Sequence, residues 1–333
     1  MAAPGAPASG EDSLIARYFK PLATDAGAFG LSDDAAVLKA LGGEIVVTTD
    51  ALVEGVHFLA DDPPDTIAQK ALRVNLSDLA AKGATPAGFV LSLALRKVEE
   101  AWLADFARGL GADASHFNCP LLGGDTVSTP GPLMLSITAF GRVAPDKMVH
   151  RSGAKPGDHV VVTGTIGDAA LGLNILKQGS VASALAGDAA SRNMLVDRYR
   201  VPQPRNAAAS AVLAHAQAAM DVSDGLAGDL AKLCAASAVS AVIDLTSIPL
   251  SNAASKVLAA GAASMADIVA GGDDYEILCA ICQSELDGFV RATHAAGVAV
   301  SVIGTVIAGE SPPKWLDAEG KELRLTRTSY SHF

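Results

Sequence analysis

Apolar and polar positions follow two different periods along this chain, and each change of period marks an element. Ile45-Val46-Val47 runs straight into Thr48-Thr49-Asp50. Three consecutive β-branched residues predict a buried strand, because branched side chains pack well on a pleated surface. The hydroxyls and carboxylate then stand at its end, where ligands of α/β proteins usually sit. Residues 65–82 change to the helical period, with Pro64 suited to the first turn and Gly83 to the stop. A strand is expected over 88–95, a helix over 98–109 and a strand over 133–143. Past a polar segment, 144–157, a strand over 159–163 leads through Gly164-Thr165-Ile166-Gly167-Asp168 into a helix. Residues 181–219 are Ala-rich and predict helix. A helix over 226–235 and a strand over 275–282 follow, and residues 12–20 form a short helix at the start.

At 333 residues the chain exceeds one ordinary core. The Pro-, Gly- and base-rich segment 144–157 is the best break, dividing a flexible tail (1–11) and an N-terminal domain (12–150) from a C-terminal domain (151–333). Half the residues are hydrophobic, 18% are charged, and alanine leads the apolar fraction. That composition favours helices packed on sheets over an aromatic-rich sandwich. A net charge of −11 argues against a nucleic-acid surface. It leaves anionic substrates open, since bound metal ions invert the local field. MAAPGAPASG lacks the basic start and apolar run of a signal peptide, and no uncharged stretch reaches the roughly 18–20 apolar residues of a membrane span. The expectation is a soluble, cytoplasmic protein.

The candidate chemistry is oxygen. Besides Asp50, acids stand next to glycine or at the ends of apolar runs at Asp33-Asp34, Asp78, Asp125, Asp221-Val222-Ser223-Asp224 and Asp273-Asp274. Each has a plainer alternative. Asp33-Asp34 suits a turn, Gly123-Gly124-Asp125 a tight turn, and Ser223 or Asp224 a helix cap. Asp78, three residues from Asn75, belongs to a helix whose Leu72, Val74, Leu76 and Leu79 leave little of it exposed, so it needs a partner or a metal. Hard oxygen donors without His or Cys suit Mg²⁺ completed by substrate phosphates. Arg151 and Lys155 face phosphate or solvent equally well. The Gly-x-Gly-x-x-Gly and G-x-x-x-x-G-K-[ST] spacings are absent, and Gly225 and Lys232 fall where an EF-hand needs ligands. Cys279-Ala-Ile-Cys282 lies in a strand whose residues three apart face opposite ways, which favours buried apolar cysteines over a zinc pair. The inference is metal-assisted phosphate chemistry, with the acids converging about Asp50.

The strings SLIARYF, TTDALVEGVHF, NLSDLAAKGA, GGDT, RSGAKPGD, TGTIGDAALGL, DVSDGL, GGDDYE and the final SYSHF closely resemble the thiamine-monophosphate kinases, in order from about residue 12 to Phe333. The resemblance implies a two-domain α/β (α+β type) PurM-like fold and a homodimer joined through the N-terminal sheet. It also implies transfer of the γ-phosphoryl group of ATP to thiamine phosphate. Asp34, Thr48, Thr49, Asp50, Asp78, Asp125, Asp221 and Asp224 then correspond to ligands of several Mg²⁺ ions. Gly124, Asp125, Arg151 and Ser223 correspond to ATP contacts, and His57, Asp273 and Tyr330 to thiamine contacts. Asp50 and Asp224 are the acids expected to matter most to turnover. Two departures stand out: Ser32 replaces a glycine, and Asp273 replaces the usual, longer glutamate. Within the same superfamily a ribonucleotide cyclo-ligase is the alternative enzyme, and a non-catalytic nucleotide or metal sensor the alternative of another class.

Overall fold

The computed structural model describes residues 13–31, 38 and 42–325. The expected tail, Ser32, the Asp33-Asp34 pair and Tyr330 in the final SYSHF lie outside the described residues. The chain divides into two compact units. One takes the chain up to Asn75 together with Pro86–Arg142; the other takes Leu76–Thr85 and everything from Val143 onward. The division thus falls earlier than the boundary expected at 150, and one short segment of the first half belongs to the second unit. No helix among the described residues is long and apolar enough to cross a membrane.

As far as Val143 the elements are β1 (Glu44–Val53), α1 (Pro64–Ala81), β2 (Thr85–Leu95), α2 (Glu100–His116), β3 (Leu121–Ser128) and β4 (Met134–Val143). Their sheet runs β1-β4-β2-β3, with β2 and β3 parallel. β1 does not stop at Asp50 but continues to Val53, so the carboxylate stands within a strand. β3 likewise runs through Gly123-Gly124-Asp125, where a turn was the alternative. α2 outlasts its expected end at 109. Glycine in a helix costs only about 1 kcal/mol, and the stripe Leu103, Phe106, Leu110 and Ala114 is buried along it. α1 is apolar on nearly every side, with Ala68, Leu72, Leu76 and Leu79 fully buried. Arg73 on α1 is held by Asp113 of α2 through bonds of 2.6 and 2.8 Å.

From Val143 the elements are β5 (His159–Thr163), α3 (Asp168–Leu176), α4 (Ser180–Ala184), α5 (Ala189–Arg200), α6 (Ala209–His215), β6 (Ala216–Asp221), α7 (Leu226–Ser237) and β7 (Val239–Asp244). α8 (Asn252–Ala259), α9 (Met265–Ala270), β8 (Ile277–Ile281), α10 (Leu286–Ala295), β9 (Val300–Ala308) and β10 (Lys314–Leu316) complete it. The sheet order is β10-β7-β9-β5-β8-β6. Alternate residues feed separate cores on its two faces: Val160, Val162, Leu278 and Met220 on one, Val161, Cys279 and Ala219 on the other. Burial on both faces explains why Ala216–Asp221 is a strand rather than the expected helix. Small side chains fit between two helical layers, and packing overrides alanine's propensity. Cys279 is buried, its thiol pushed up to about 12 by lost hydration, whereas Cys282 is partly exposed beside Ser284.

Asp113→Ala strips the buried Arg73 guanidinium of its carboxylate. It is expected to lower unfolding stability by about 3–5 kcal/mol in urea titration; a loss below about 1 kcal/mol would show the pair to be dispensable.

Candidate active site

Two loops of the second unit are joined by their backbones. β6 ends at Asp221, and Val222-Ser223-Asp224-Gly225 carries the chain into α7. The N–H groups of Asp273 and Tyr275 donate to the carbonyls of Ser223 and Val222, and Val222 N–H donates to the Glu276 carbonyl, each at 2.8 Å. Gly272 permits this closeness, since a Cβ there would lie 2.7 Å from the Ser223 carbonyl oxygen. Ser223 and Asp273, both partly exposed, are therefore neighbours.

Asp229 organises the entry into α7. Its fully buried Oδ2 accepts the N–H groups of Ser223, Asp224 and Gly225 at 3.0–3.2 Å. Its Oδ1 accepts from Lys232 Nζ at 2.8 Å, and the same ammonium reaches Asp224 Oδ2 at 2.5 Å. Burial pushes the Asp229 carboxyl up while Lys232 pulls it back. Lys232, penalised by lost hydration, is nevertheless raised by Asp224 and Asp229. Neither Ser223 nor Asp224 caps the helix with its side chain; the N-cap is Gly225. The capping alternative for these two residues therefore falls away. Asp229, four residues beyond the cap glycine, was the signal that sequence inspection passed over.

Lys82 gathers a second group. Its Nζ donates to the Ala219 carbonyl at 2.8 Å, Val149 N–H donates to the Lys82 carbonyl, and Ala219 N–H donates to the His150 carbonyl. Lost hydration depresses the ammonium; Asp221 opposes that, Arg151 adds to it, and Asp78 opposes it. The charges of Asp221, Arg151 and Asp78 thus all act on one half-buried cation. The one-turn spacing from Asp78 to Lys82 was its trace in the sequence.

In the first unit, β1 turns Thr48 and Asp50 to one face and Thr49 to the other. Thr49 Oγ1 donates to the Ile137 carbonyl at 3.2 Å and accepts from Thr138. Asp125 lies on β3 at the opposite edge of the sheet, three strand spacings or on the order of 14 Å away. A single sheet therefore does not bring Asp50 and Asp125 to one cation. Gly124 sits opposite Leu91, where a Cβ would come within 2.0 Å of the Leu91 carbonyl oxygen. Strand pairing alone accounts for that glycine, while Gly123 faces open space. His57 Nδ1 accepts Val53 N–H at 3.0 Å, which places the ring proton on Nε2. The buried Lys70 holds the His57 carbonyl at 2.9 Å.

The candidate ligands are all oxygen donors, which suits Mg²⁺ in type. Among the described residues no three His, Cys, Asp or Glu side chains form a closed metal cage. The expected convergence of the acids about Asp50 is thus not seen among the described residues, where the acids stand singly or in pairs.

Residues 32–143 match the AIR synthase related protein N-terminal domain, and residues 155–312 match the AIR synthase related protein C-terminal domain. A thiamine-monophosphate kinase of Caulobacter vibrioides is 43% identical over 340 aligned positions, covering 99% of this chain and 93% of that protein. The chain belongs to the thiamine-monophosphate kinase family. Among solved members, that of Stenotrophomonas maltophilia K279a is 36% identical with a TM-score of 0.81, over 94% of this chain and 96% of its own. A chain described as AaThiL complexed with AMPPCP and TMP is 28% identical with a TM-score of 0.75, over 92% of this chain and 97% of its own. The fold is the two-domain α/β PurM-like fold.

Within this thiamine-monophosphate kinase family chain, the GGDDYE loop is anchored by its inward residues. Glu276 is fully buried and accepts from Arg198 at 2.8 Å, Arg205 at 2.5 and 2.6 Å, and Thr163 at 2.7 Å. Asp274, also fully buried, accepts Gly167 N–H at 2.7 Å. Burial raises its carboxyl well above the ordinary 3.8, against the pull of that N–H and of Arg198. A native-state value raised above the unfolded one means the folded chain holds the proton longer. The associated stability is complete below pH 3.8 and is lost as pH rises through the native value. Asp274→Asn is expected to remove that decline, so the stability of the parent relative to the variant should fall as pH rises above 3.8 in urea unfolding. A pH-independent difference would refute the shift.

Proposed function

We propose that this protein transfers the γ-phosphoryl group of ATP to thiamine phosphate, giving thiamine diphosphate, the last step in making that compound. The observation that carries this reading is the 2.8 Å bond from Asp273 N–H to the Ser223 carbonyl. It seats a nucleotide-contact candidate and an acceptor-contact candidate on one pair of interlocked loops. Family membership supports the assignment, as does a relative bound to AMPPCP and TMP.

In this reading Gly124, Asp125, Arg151 and Ser223 contact ATP, while His57, Asp273 and Tyr330 contact the thiamine moiety. Asp34, Thr48, Thr49, Asp50, Asp78, Asp125, Asp221 and Asp224 hold Mg²⁺. The acceptor is a phosphate monoester whose second pKa is about 6, so it is largely dianionic at pH 7 and needs no side-chain base. The obstacle is repulsion, roughly 4 kcal/mol for one unit-charge pair at 4 Å and an effective dielectric near 20. Bound Mg²⁺ would supply the opposing charge and orient the phosphates. Arg151 adds fixed positive charge. His57, its proton on Nε2, serves as a hydrogen-bond donor. Lys232 holds the Asp224 carboxylate in place before ligands arrive. Transfer is direct and in line, because the acceptor oxygen is already a competent nucleophile.

Two copies associate through the sheet of the first unit. Val47 on β1, Val127 on β3 and Met134 on β4 are 58%, 50% and 40% exposed, an unusual set for one small sheet. The buried free thiols Cys119, Cys234 and Cys279 suit a reducing, cytoplasmic setting.

Incubation with Mg-ATP and thiamine phosphate is expected to yield thiamine diphosphate, and its absence sinks the assignment. Asp50→Asn and Asp224→Asn should each lower kcat by on the order of 10²–10³ with circular dichroism unchanged; near-parental rates in both would remove these acids from the reaction. Sedimentation should show a two-chain particle that Val47→Lys with Val127→Lys converts to monomers, and a parent that sediments as one chain would reject the association.

A further inference from the structure

Along Gly271–Glu276 the side chains divide by position. Asp274 and Glu276 turn inward and are fully buried, the first on Gly167 N–H, the second clamped by Arg198, Arg205 and Thr163. Asp273 and Tyr275 are only partly buried. Both hold left-handed backbone, at φ 71° and 51°. Aspartate enters that region readily, whereas a bulky aromatic residue there is an outlier that the surrounding structure must impose. The imposition is visible: backbone bonds to Ser223 and Val222 on one side, and buried ionic anchors on the other. Its result is that the Tyr275 hydroxyl donates to Asp273 Oδ1 at 3.2 Å.

We propose that Tyr275 is a positioning residue for substrate recognition. Its hydroxyl fixes the orientation of the Asp273 carboxylate, and the pair selects a cationic heteroaromatic ring over a neutral one. This rests on the kinase reading above. A carboxylate pairs with positive charge, and an aromatic face attracts the same charge through its ring quadrupole. The thiazolium of thiamine phosphate is a permanently charged planar ring, so it matches both. A carboxylate aimed at a cation works best held in one rotamer, and the 3.2 Å bond from Tyr275, itself fixed two positions along, holds Asp273 so.

The test uses Tyr275→Phe, which keeps the ring and loses only the hydroxyl, alongside Asp273→Asn and the double variant. KM is measured separately for thiamine phosphate, for ATP, and for 3-deazathiamine phosphate, whose thiophene ring is neutral. Tyr275→Phe is expected to raise KM for thiamine phosphate roughly 10-fold, the scale of one hydrogen bond to a charged group, with KM for ATP within about two-fold. KM for the neutral analogue should barely change. The double variant should be no worse than Asp273→Asn alone, because a hydroxyl that serves recognition by orienting that carboxylate has nothing left to orient once it is gone. Thermal melting confirms that each variant is folded. An unchanged KM for thiamine phosphate in Tyr275→Phe, an equal rise for ATP or for the neutral analogue, or strictly multiplicative losses in the double variant would overturn the proposal. Parental protein that turns over thiamine phosphate while Tyr275→Phe is indistinguishable refutes only the role of Tyr275. Parental protein inert toward thiamine phosphate refutes the kinase reading itself.

Discussion

Three backbone hydrogen bonds between Val222-Ser223 and Asp273-Tyr275-Glu276 are the constraint on which the second unit's functional surface depends. They make two loops, some fifty residues apart in the chain, behave as one short ladder. Loop backbone ordinarily satisfies its polar groups with water, and ordering it costs about 1–2 kcal/mol per residue. Here buried polar anchors beneath the loops leave few alternative arrangements. Glu276 brings two guanidinium groups and a threonine hydroxyl to one carboxylate, and Asp229 closes the turn into α7 with three backbone N–H groups. A buried charge of this kind is weak evidence for net stability, because desolvation consumes most of the Coulomb gain. Its effect is geometric, since few other arrangements of these loops would satisfy the same charges.

The same economy of means recurs around the other acids. Asp224 is paired with Lys232, and Asp78 and Asp221 lie near Lys82. Lysine ammonium groups thus offset the negative charge of these acids, Lys232 by direct contact and Lys82 through its field. An ammonium on a flexible stem can share or yield an oxygen when a divalent cation arrives, which a rigid bidentate arginine does less readily. The Lys232–Asp224 pair is therefore compatible with a cation taking one of its oxygens.

The first unit poses a different geometric problem. Strand alternation sends Thr48 and Asp50 one way and Thr49 the other, and sheet order sets Asp50 and Asp125 on opposite edges. A cation needs its oxygen ligands within about 2.0–2.6 Å, so proximity in sequence motifs counts for nothing without the sheet's order.

Much of this was legible in the chain itself. Period-2 and period-3.6 patterns marked β5 to the residue and placed α1 and α7 closely, because burial of one face is a local property written into neighbouring positions. Nine ordered strings from SLIARYF to SYSHF pointed to the family, whereas each Asp motif taken alone also suited a turn or a helix cap. Where local patterns failed, packing from elsewhere had decided. Ala216–Asp221 became a strand because both its faces are covered, and β1 and β3 ran on through residues that resemble turn-formers. Partner choice was the part that only the tertiary structure could settle. Arg198, Arg205 and Thr163 meet Glu276 from 71 to 113 positions away, and no periodicity in a linear chain records which distant hydrogen-bond donor will face a given carboxylate.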